Sequence, residues 1–197
     1  MSESSVRILI GITEENQKQA AEIYYDAFQL KLAPLKGSRE RVVALLAAIF
    51  VPQQAIIAVQ EGQCVGLAGL HYDGCYFTKI SVAAFVKALG WFYGLAGYLA
   101  FHAFEPGIAR NELRIECLAV APEKRGQGIG TLLLTAVDEL AKAKGFDAVR
   151  LEVVDTNPNA QRLYERQGFR VTRTRHYPYL RRFVGYSGVN IMIKQLH

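Results

Sequence analysis

The residue types that point most directly to chemistry in this 197-residue chain form a glycine-rich run, Glu123-Lys-Arg-Gly-Gln-Gly-Ile-Gly130. It separates an apolar, strand-like run (113–120) from a helix-like run (131–144). Glycines let the backbone turn tightly, and the amide N–H groups at the start of a helix lack intrahelical partners and attract anions. The sequence therefore predicts that this loop holds the pyrophosphate of a phosphorylated cofactor.

The spacing of this loop excludes two common nucleotide-binding motifs. A Walker loop needs Lys and Ser/Thr directly after its last glycine, whereas Gly130 is followed by Thr131 and Leu132. A dinucleotide fingerprint reads G-x-G-x-x-G, and here every second residue from Gly126 to Gly130 is glycine. The loop instead matches the pattern R-x-x-G-x-G, which begins at Arg125.

A second motif follows the predicted helix. A strand-like run (149–155) leads into N-x-x-A-x-x-L-Y-x-x-x-G-F, which extends from Asn157 to Phe169. Asn157 suits a helix N-cap, Pro158 suits the first helical position, and Gly168 suits the helix end. The pattern predicts a short helix that carries Tyr164.

These two motifs, in this order over residues 113–169, resemble the GNAT superfamily of N-acetyltransferases. The resemblance implies an α/β fold, the GNAT acyl-CoA N-acyltransferase fold, with a central mixed, mostly antiparallel sheet flanked by helices. It also implies acetyl-CoA as the acyl donor, no metal, and Tyr164 as the acid that faces the CoA sulfur. By the same resemblance, the donor-binding residues are Leu118, Ala119, Val120, Arg125, Gly126, Gln127, Gly128, Ile129, Gly130, Thr131, Asn157, Asn159, Tyr164 and Arg166.

The general base is left open between Glu116 and Glu152. A primary amine arrives mainly as ammonium, with a reference pKa of about 10.4, so a group must remove a proton before the nitrogen attacks the thioester. Glu116 lies on the predicted strand, on the side expected to carry Arg114 and Leu118, and is slightly preferred. Glu152 stands twelve residues before Tyr164, the spacing of ribosomal-protein N-terminal alanine acetyltransferases. For either glutamate, the structural alternative is an ion pair with Arg114 or Arg150.

The rest of the chain predicts one N-acetyltransferase domain over 1–197 with a hydrophobic helical insertion at about 76–106. N-terminal to that insertion we expect a strand at 6–12, helices at 14–32 and 39–50, and a hairpin of 55–60 with 63–71. Residues 80–104 approach the length and apolarity of a membrane-spanning helix, but Lys87 and three glycines favour a bent segment that covers the acceptor pocket. A homodimer contact and a membrane contact through this segment are the alternatives.

The charge, the cysteines and the N-terminal pattern limit which partners and which cellular compartment the sequence predicts. The net charge of +5 comes largely from arginines near the C-terminus, which predict a solvated surface or attraction of an anionic cofactor or acidic acceptor. No nucleic-acid-binding module accompanies them, so nucleic acid is left out of the predicted partners. Three unclustered cysteines and an N-terminus without a signal-peptide pattern predict free thiols and a cytoplasmic location.

The sequence thus predicts an enzyme that transfers acetyl from acetyl-CoA to a primary amine of a small molecule, by direct attack in a ternary complex. Two alternatives remain: a protein or peptide N-terminal acetyltransferase, suggested by Glu152, Asn157 and Tyr164, and a non-catalytic acyl-CoA-binding sensor or interaction module. The acceptor itself is not determined by these residues.

Overall fold

A mixed sheet forms the centre of the fold. The computed structural model describes residues 5–32, 35, 37–79, 83, 86, 111–177 and 185–196, with the backbone alone for 30 and 31. Within these residues, seven strands lie in the order β1-β2-β3-β4-β5-β7-β6, with β4 and β5 parallel and every other neighbouring pair antiparallel. The strands are β1 (Arg7–Ile10), β2 (Ala55–Gln60), β3 (Gln63–His71), β4 (Glu112–Val120), β5 (Ala148–Val154), β6 (Arg170–His176) and β7 (Gly188–Gln195). The predicted fold class is confirmed.

Helices cover the two faces of this sheet. The helices are α1 (Glu14–Ala27), α2 (Gln29–Leu32), α3 (Arg39–Ile49), α4 (Ile129–Ala143) and α5 (Pro158–Arg166). One buried cluster joins α1 and α3 to β2, β3 and β4, and we call this side the α1 face. A second cluster joins α4 to the opposite side of the sheet and contains Tyr164 of α5, and we call that side the α4 face.

Most local boundaries follow the sequence patterns. Glu61 and Gly62 have φ values of 53° and 78°, the left-handed geometry of a tight hairpin turn, and β2 and β3 have the predicted bounds. The helix predicted over 14–32 is instead interrupted at Phe28, because its backbone (φ −121°, ψ 27°) leaves the helical region. The chain then resumes as the short helix α2.

The predicted insertion lies mainly outside the described residues. Of residues 76–106, the structure describes 76–79, 83 and 86, so the predictions for 80–104 lie outside the described residues. Arg181 and Arg182 also lie outside the described part. No helix among the described residues is long and apolar enough to cross a membrane.

Close packing sets the position of α4 on the sheet. A Cβ added to Gly66 of β3 would lie 3.0 Å from both the Ile129 Cγ2 and the Leu133 Cδ1 atoms. Glycine therefore lets the first turns of α4 approach β3 more closely than an alanine would allow. This contact holds the start of α4, and with it the glycine loop, close to the sheet.

Candidate active site

The sheet opens between its two parallel strands. Pairing of β4 with β5 runs from Glu112↔Ala148 to Ile115↔Leu151 and stops there. Beyond that point, β4 still pairs with β3 and β5 still pairs with β7. The facing edges of residues 116–120 and 152–154 therefore leave backbone N–H and C=O groups available to a ligand in the gap.

The glycine loop lies at the start of α4. Gly126 and Gly128 have φ values of 78° and 80°, and a Cβ added to either would meet nothing within 4 Å. Helix α4 begins at Ile129, two residues earlier than predicted, and its N-cap Gly128 provides no side-chain cap. The first amide N–H groups of α4 therefore have no side-chain cap, and with the open space at Gly126 and Gly128 this arrangement fits a diphosphate.

Two side chains of the loop, Arg125 and Gln127, donate hydrogen bonds to backbone carbonyls between the end of β4 and the loop. The Arg125 Nε donates to the Val120 carbonyl at 3.2 Å, and the Gln127 Nε2 donates to the Glu123 carbonyl at 3.4 Å. These two bonds brace the turn between β4 and α4. Contacts from this loop to a phosphate would therefore come mainly from backbone amides, and a phosphate contact by the Arg125 side chain stays a prediction.

The second motif forms α5 as predicted. The Asn157 Oδ1 accepts from the Ala160 N–H at 3.1 Å, and Pro158 opens the helix. The Asn159 Oδ1 accepts from the Arg162 Nη2 at 2.7 Å, while Arg166 is exposed in the last turn. Donor contacts by Asn157, Asn159 and Arg166 therefore stay predictions, since local contacts account for both asparagines.

Tyr164 is the buried side chain of α5. Its ring is 8% exposed and packs edge-on against Phe169, with 6.0 Å between the ring centroids. Burial, and next the nearby Cys117 thiol, raise the pKa of Tyr164 to about 12. The hydroxyl thus stays protonated at neutral pH.

Glu116 occupies a β-bulge in β4. The β3 partners change from Gly69↔Cys117 to Leu70↔Ile115, so Glu116 is the extra residue. Ile115 and Leu118 consequently both pack on the α4 face, although strict alternation would separate them. Glu116 instead lies with Phe77 on the α1 face, so the prediction that it shares one side with Leu118 is wrong.

The Glu116 carboxylate is held by neighbours from β3 and the segment after it. The Glu116 Oε2 accepts from the Phe77 N–H at 3.2 Å, and the Oε1 lies 3.6 Å from the His71 Nδ1. The Phe77 ring packs so closely on β3 that a Cβ on Gly69 would lie 2.4 Å from its Cδ1. Sequence reasoning missed His71, because only the β3–β4 register brings it to Glu116.

Glu152 lies on the same face but in a different environment. Its Oε1 is 3.2 Å from the Arg150 Nη2 and 3.9 Å from the Arg114 Nη2, and the carboxylate side chain is 22% exposed. Both guanidinium groups thus lie within ion-pair distance of the same carboxylate oxygen. The ion pair considered as an alternative for Glu152 is therefore present, and the choice of base between Glu116 and Glu152 stays a prediction.

No group of three or more His, Cys, Asp or Glu side chains within the described residues is arranged to hold a metal ion.

Three comparisons place this architecture among known proteins. A model of the acetyltransferase (GNAT) family matches residues 18–169. The chain is similar to thialysine N-ε-acetyltransferase of Bos taurus, with 39% identity over 95 residues, 47% of this chain and 55% of that enzyme. It is also similar to streptothricin acetyltransferase of Streptomyces lavendulae, with 38% identity over 77 residues, 39% of this chain and 41% of that enzyme. The chain thus spans about half the length of the curated relatives it matches.

A solved structure extends the likeness to nearly the whole fold. An N-acetyltransferase from Staphylococcus aureus Mu50 superposes with a TM-score of 0.70, covering 95% of this chain and 99% of that one. The two sequences are 16% identical, so this likeness concerns the fold alone.

Proposed function

Because the family match spans more than half of its length, the chain belongs to the acetyltransferase (GNAT) family, and from this premise we propose that it transfers acetyl from acetyl-CoA to a primary amine of a small molecule. The observation that carries the proposal is the gap between β4 and β5. It is flanked by the glycine loop and Tyr164 on the α4 face and by Glu116 on the α1 face.

This placement gives the two substrates separate approaches. The glycine-loop amides would hold the CoA pyrophosphate, and the open strand edges would hold its amide-containing arm along 118–120. Acetyl-CoA supplies the activated acyl group. The acceptor amine would then approach from the α1 face, where Glu116 lies, and attack directly without an acyl-enzyme.

Each protein group has a limited chemical task. Glu116 removes a proton from the acceptor ammonium, directly or through water. Backbone N–H groups of β4 in the gap polarise the carbonyl under attack. Tyr164 donates a hydrogen bond to the leaving sulfur, and because its pKa of about 12 exceeds the reference thiol value of about 8.5, full proton transfer is uphill. We therefore expect Tyr164 to contribute less than Glu116.

The names of the two relatives support a small-molecule acceptor, since they act on thialysine and streptothricin. For the N-terminal acetyltransferase alternative, the ion pairs of Glu152 with Arg150 and Arg114 count against a role as base, whereas the cap that Asn157 forms on α5 is compatible with a donor contact. A single domain over 1–197, a cytoplasmic location and the lack of a metal requirement belong to the same proposal.

Release of free thiol from acetyl-CoA across a panel of primary amines tests the proposal. We expect amine-dependent thiol release, together with a product whose mass has increased by one acetyl group. Tertiary amines of matched size should give none, because they cannot form a stable amide. Saturable binding of acetyl-CoA without consumption by any amine would contradict the proposal and favour the acyl-CoA sensor.

Replacing Tyr164 with Phe tests the role of the hydroxyl. We expect kcat to fall about 10- to 100-fold at neutral pH, with little change in KM for acetyl-CoA, because the ring packing is kept. The wild-type hydroxyl stays protonated below about pH 12 and can donate its hydrogen bond throughout this range, so the wild-type to variant ratio of kcat should stay nearly constant from pH 7 to pH 10. A variant kcat equal to the wild-type kcat at pH 7 would reduce Tyr164 to a packing residue.

A further inference from the structure

Three arginines of the edge strand β6 lie on the face from which the acceptor would approach. In register, Arg173 pairs with Ile191 of β7, and Ile191 pairs with Glu152 of β5. Residues that are partners across a sheet project to the same face, so Arg173 shares the face of Glu152. The same reasoning places Arg170 and Arg175 on this face, through Ile193 and Val189.

One row of residues that are paired across the sheet on this face crosses five strands. It contains Arg170 of β6, Ile193 of β7, Arg150 of β5, Arg114 of β4 and His71 of β3. Neighbouring strands are about 4.8 Å apart, so the backbone of Arg173 lies about 10 Å from that of Glu152. The β6 arginines thus border the site on the side away from β3.

These arginines carry charge that the described residues do not balance. Arg114 and Arg150 are offset by Glu152, and Glu116 lies beside His71. None of the ion pairs among the described residues involves Arg170, Arg173 or Arg175. Glu112 lies one row beyond Arg114, at the far end of β4. The net charge of the described side chains on the β6 side of this face is therefore positive.

Resting on the proposed function, we propose that the acceptor is an amine that also carries an anionic group, a carboxylate or a phosphate, held by the β6 arginines with Arg173 as the central contact. Arginine presents paired donors that match the oxygens of either group. The amine would then lie toward Glu116 and the anion toward the edge of the sheet. Acceptors that lack the anion would leave this positive charge unmatched.

Matched pairs of amines test the inference. L-lysine is compared with cadaverine, which lacks only the carboxylate, and phosphoethanolamine is compared with ethanolamine, which lacks the phosphate. Both kcat/KM with acetyl-CoA and binding to the CoA-bound chain by calorimetry are measured. We expect the anionic member of one pair to be favoured about tenfold in both measurements, the size of one charge-assisted hydrogen bond. Which pair shows the preference identifies the anion.

Arginine-to-glutamine variants then test where the anionic group of the acceptor binds. Arg173→Gln should reduce the preference to about threefold or less, and a combined Arg170→Gln, Arg173→Gln and Arg175→Gln variant should abolish it. Arg7→Gln is the matched control, because Arg7 is exposed on β1 at the opposite edge of the sheet. This control should keep the wild-type preference, and raised salt should weaken the preference of the wild-type chain.

The outcomes separate this inference from the proposed reaction. Equal binding and equal kcat/KM within both pairs would overturn the inference while leaving acetyl transfer intact. A preference unchanged in the combined variant would also overturn it, because the anion would then be held elsewhere. A binding preference that the combined variant abolishes, with no turnover of any amine, would support the anion site and contradict the proposed reaction.

Discussion

Replacing Gly128 with glutamate is expected to lower the affinity of the chain for CoA at least about 100-fold, because a carboxylate would enter the space proposed for the pyrophosphate. Gly128 is the N-cap of α4 with φ of 80°, so a glutamate there strains the left-handed backbone, but its Cβ meets nothing within 4 Å and the side chain has space. Like charges about 4 Å apart repel by about 4 kcal/mol at an effective dielectric constant of 20. This repulsion exceeds the binding free energy of about 2.7 kcal/mol that corresponds to a 100-fold loss of affinity.

Helix α4 offers a matched control at its other end. Gly145 follows the helix with φ of 76°, and a Cβ added there also meets nothing within 4 Å. Gly145→Glu therefore makes the same change of charge in a similar left-handed backbone, away from the loop. Calorimetric titration with CoA should give nearly wild-type affinity for Gly145→Glu and no measurable binding for Gly128→Glu. Equal affinities in two folded variants would remove the pyrophosphate from this loop.

Replacing Glu116 with glutamine is expected to lower kcat about 10²- to 10³-fold, because the amide cannot accept the ammonium proton. Glutamine keeps the size of the side chain and an oxygen that can accept from the Phe77 N–H, so the bulge should persist. KM for acetyl-CoA should change little, since Glu116 lies on the face opposite α4. Steady-state kinetics with a saturating amine measures the loss.

Glu152→Gln is the control for this assignment. It removes a carboxylate from the same face, but one that is engaged by Arg150 and Arg114. We expect less than about a tenfold loss of kcat, together with lower resistance to urea, because two largely buried guanidinium groups lose an ionised partner. A larger loss of kcat for Glu152→Gln than for Glu116→Gln would transfer the role of base to Glu152.

The sequence by itself determined the features that depend on near neighbours. The hairpin turn at Glu61 and Gly62, the cap at Asn157 and the glycine loop before α4 follow from backbone preferences and contacts within a few residues. Such features are readable because their energies come from residues adjacent in the chain. The fold class was predicted from the resemblance of the two motifs and their order to the GNAT superfamily.

Only the tertiary structure decided which side chains meet. The Phe77 N–H that binds Glu116 lies 39 residues away in the chain, and His71 reaches it through the register of β3 with β4. One extra residue in β4 moves Leu118 to the opposite face, which no alternating pattern indicates. Strand β7 lies between β5 and β6, so the β6 arginines share a face with Glu152 through pairings that sequence spacing does not reveal. Register and strand order depend on packing across the whole sheet, and they set the chemistry of this site.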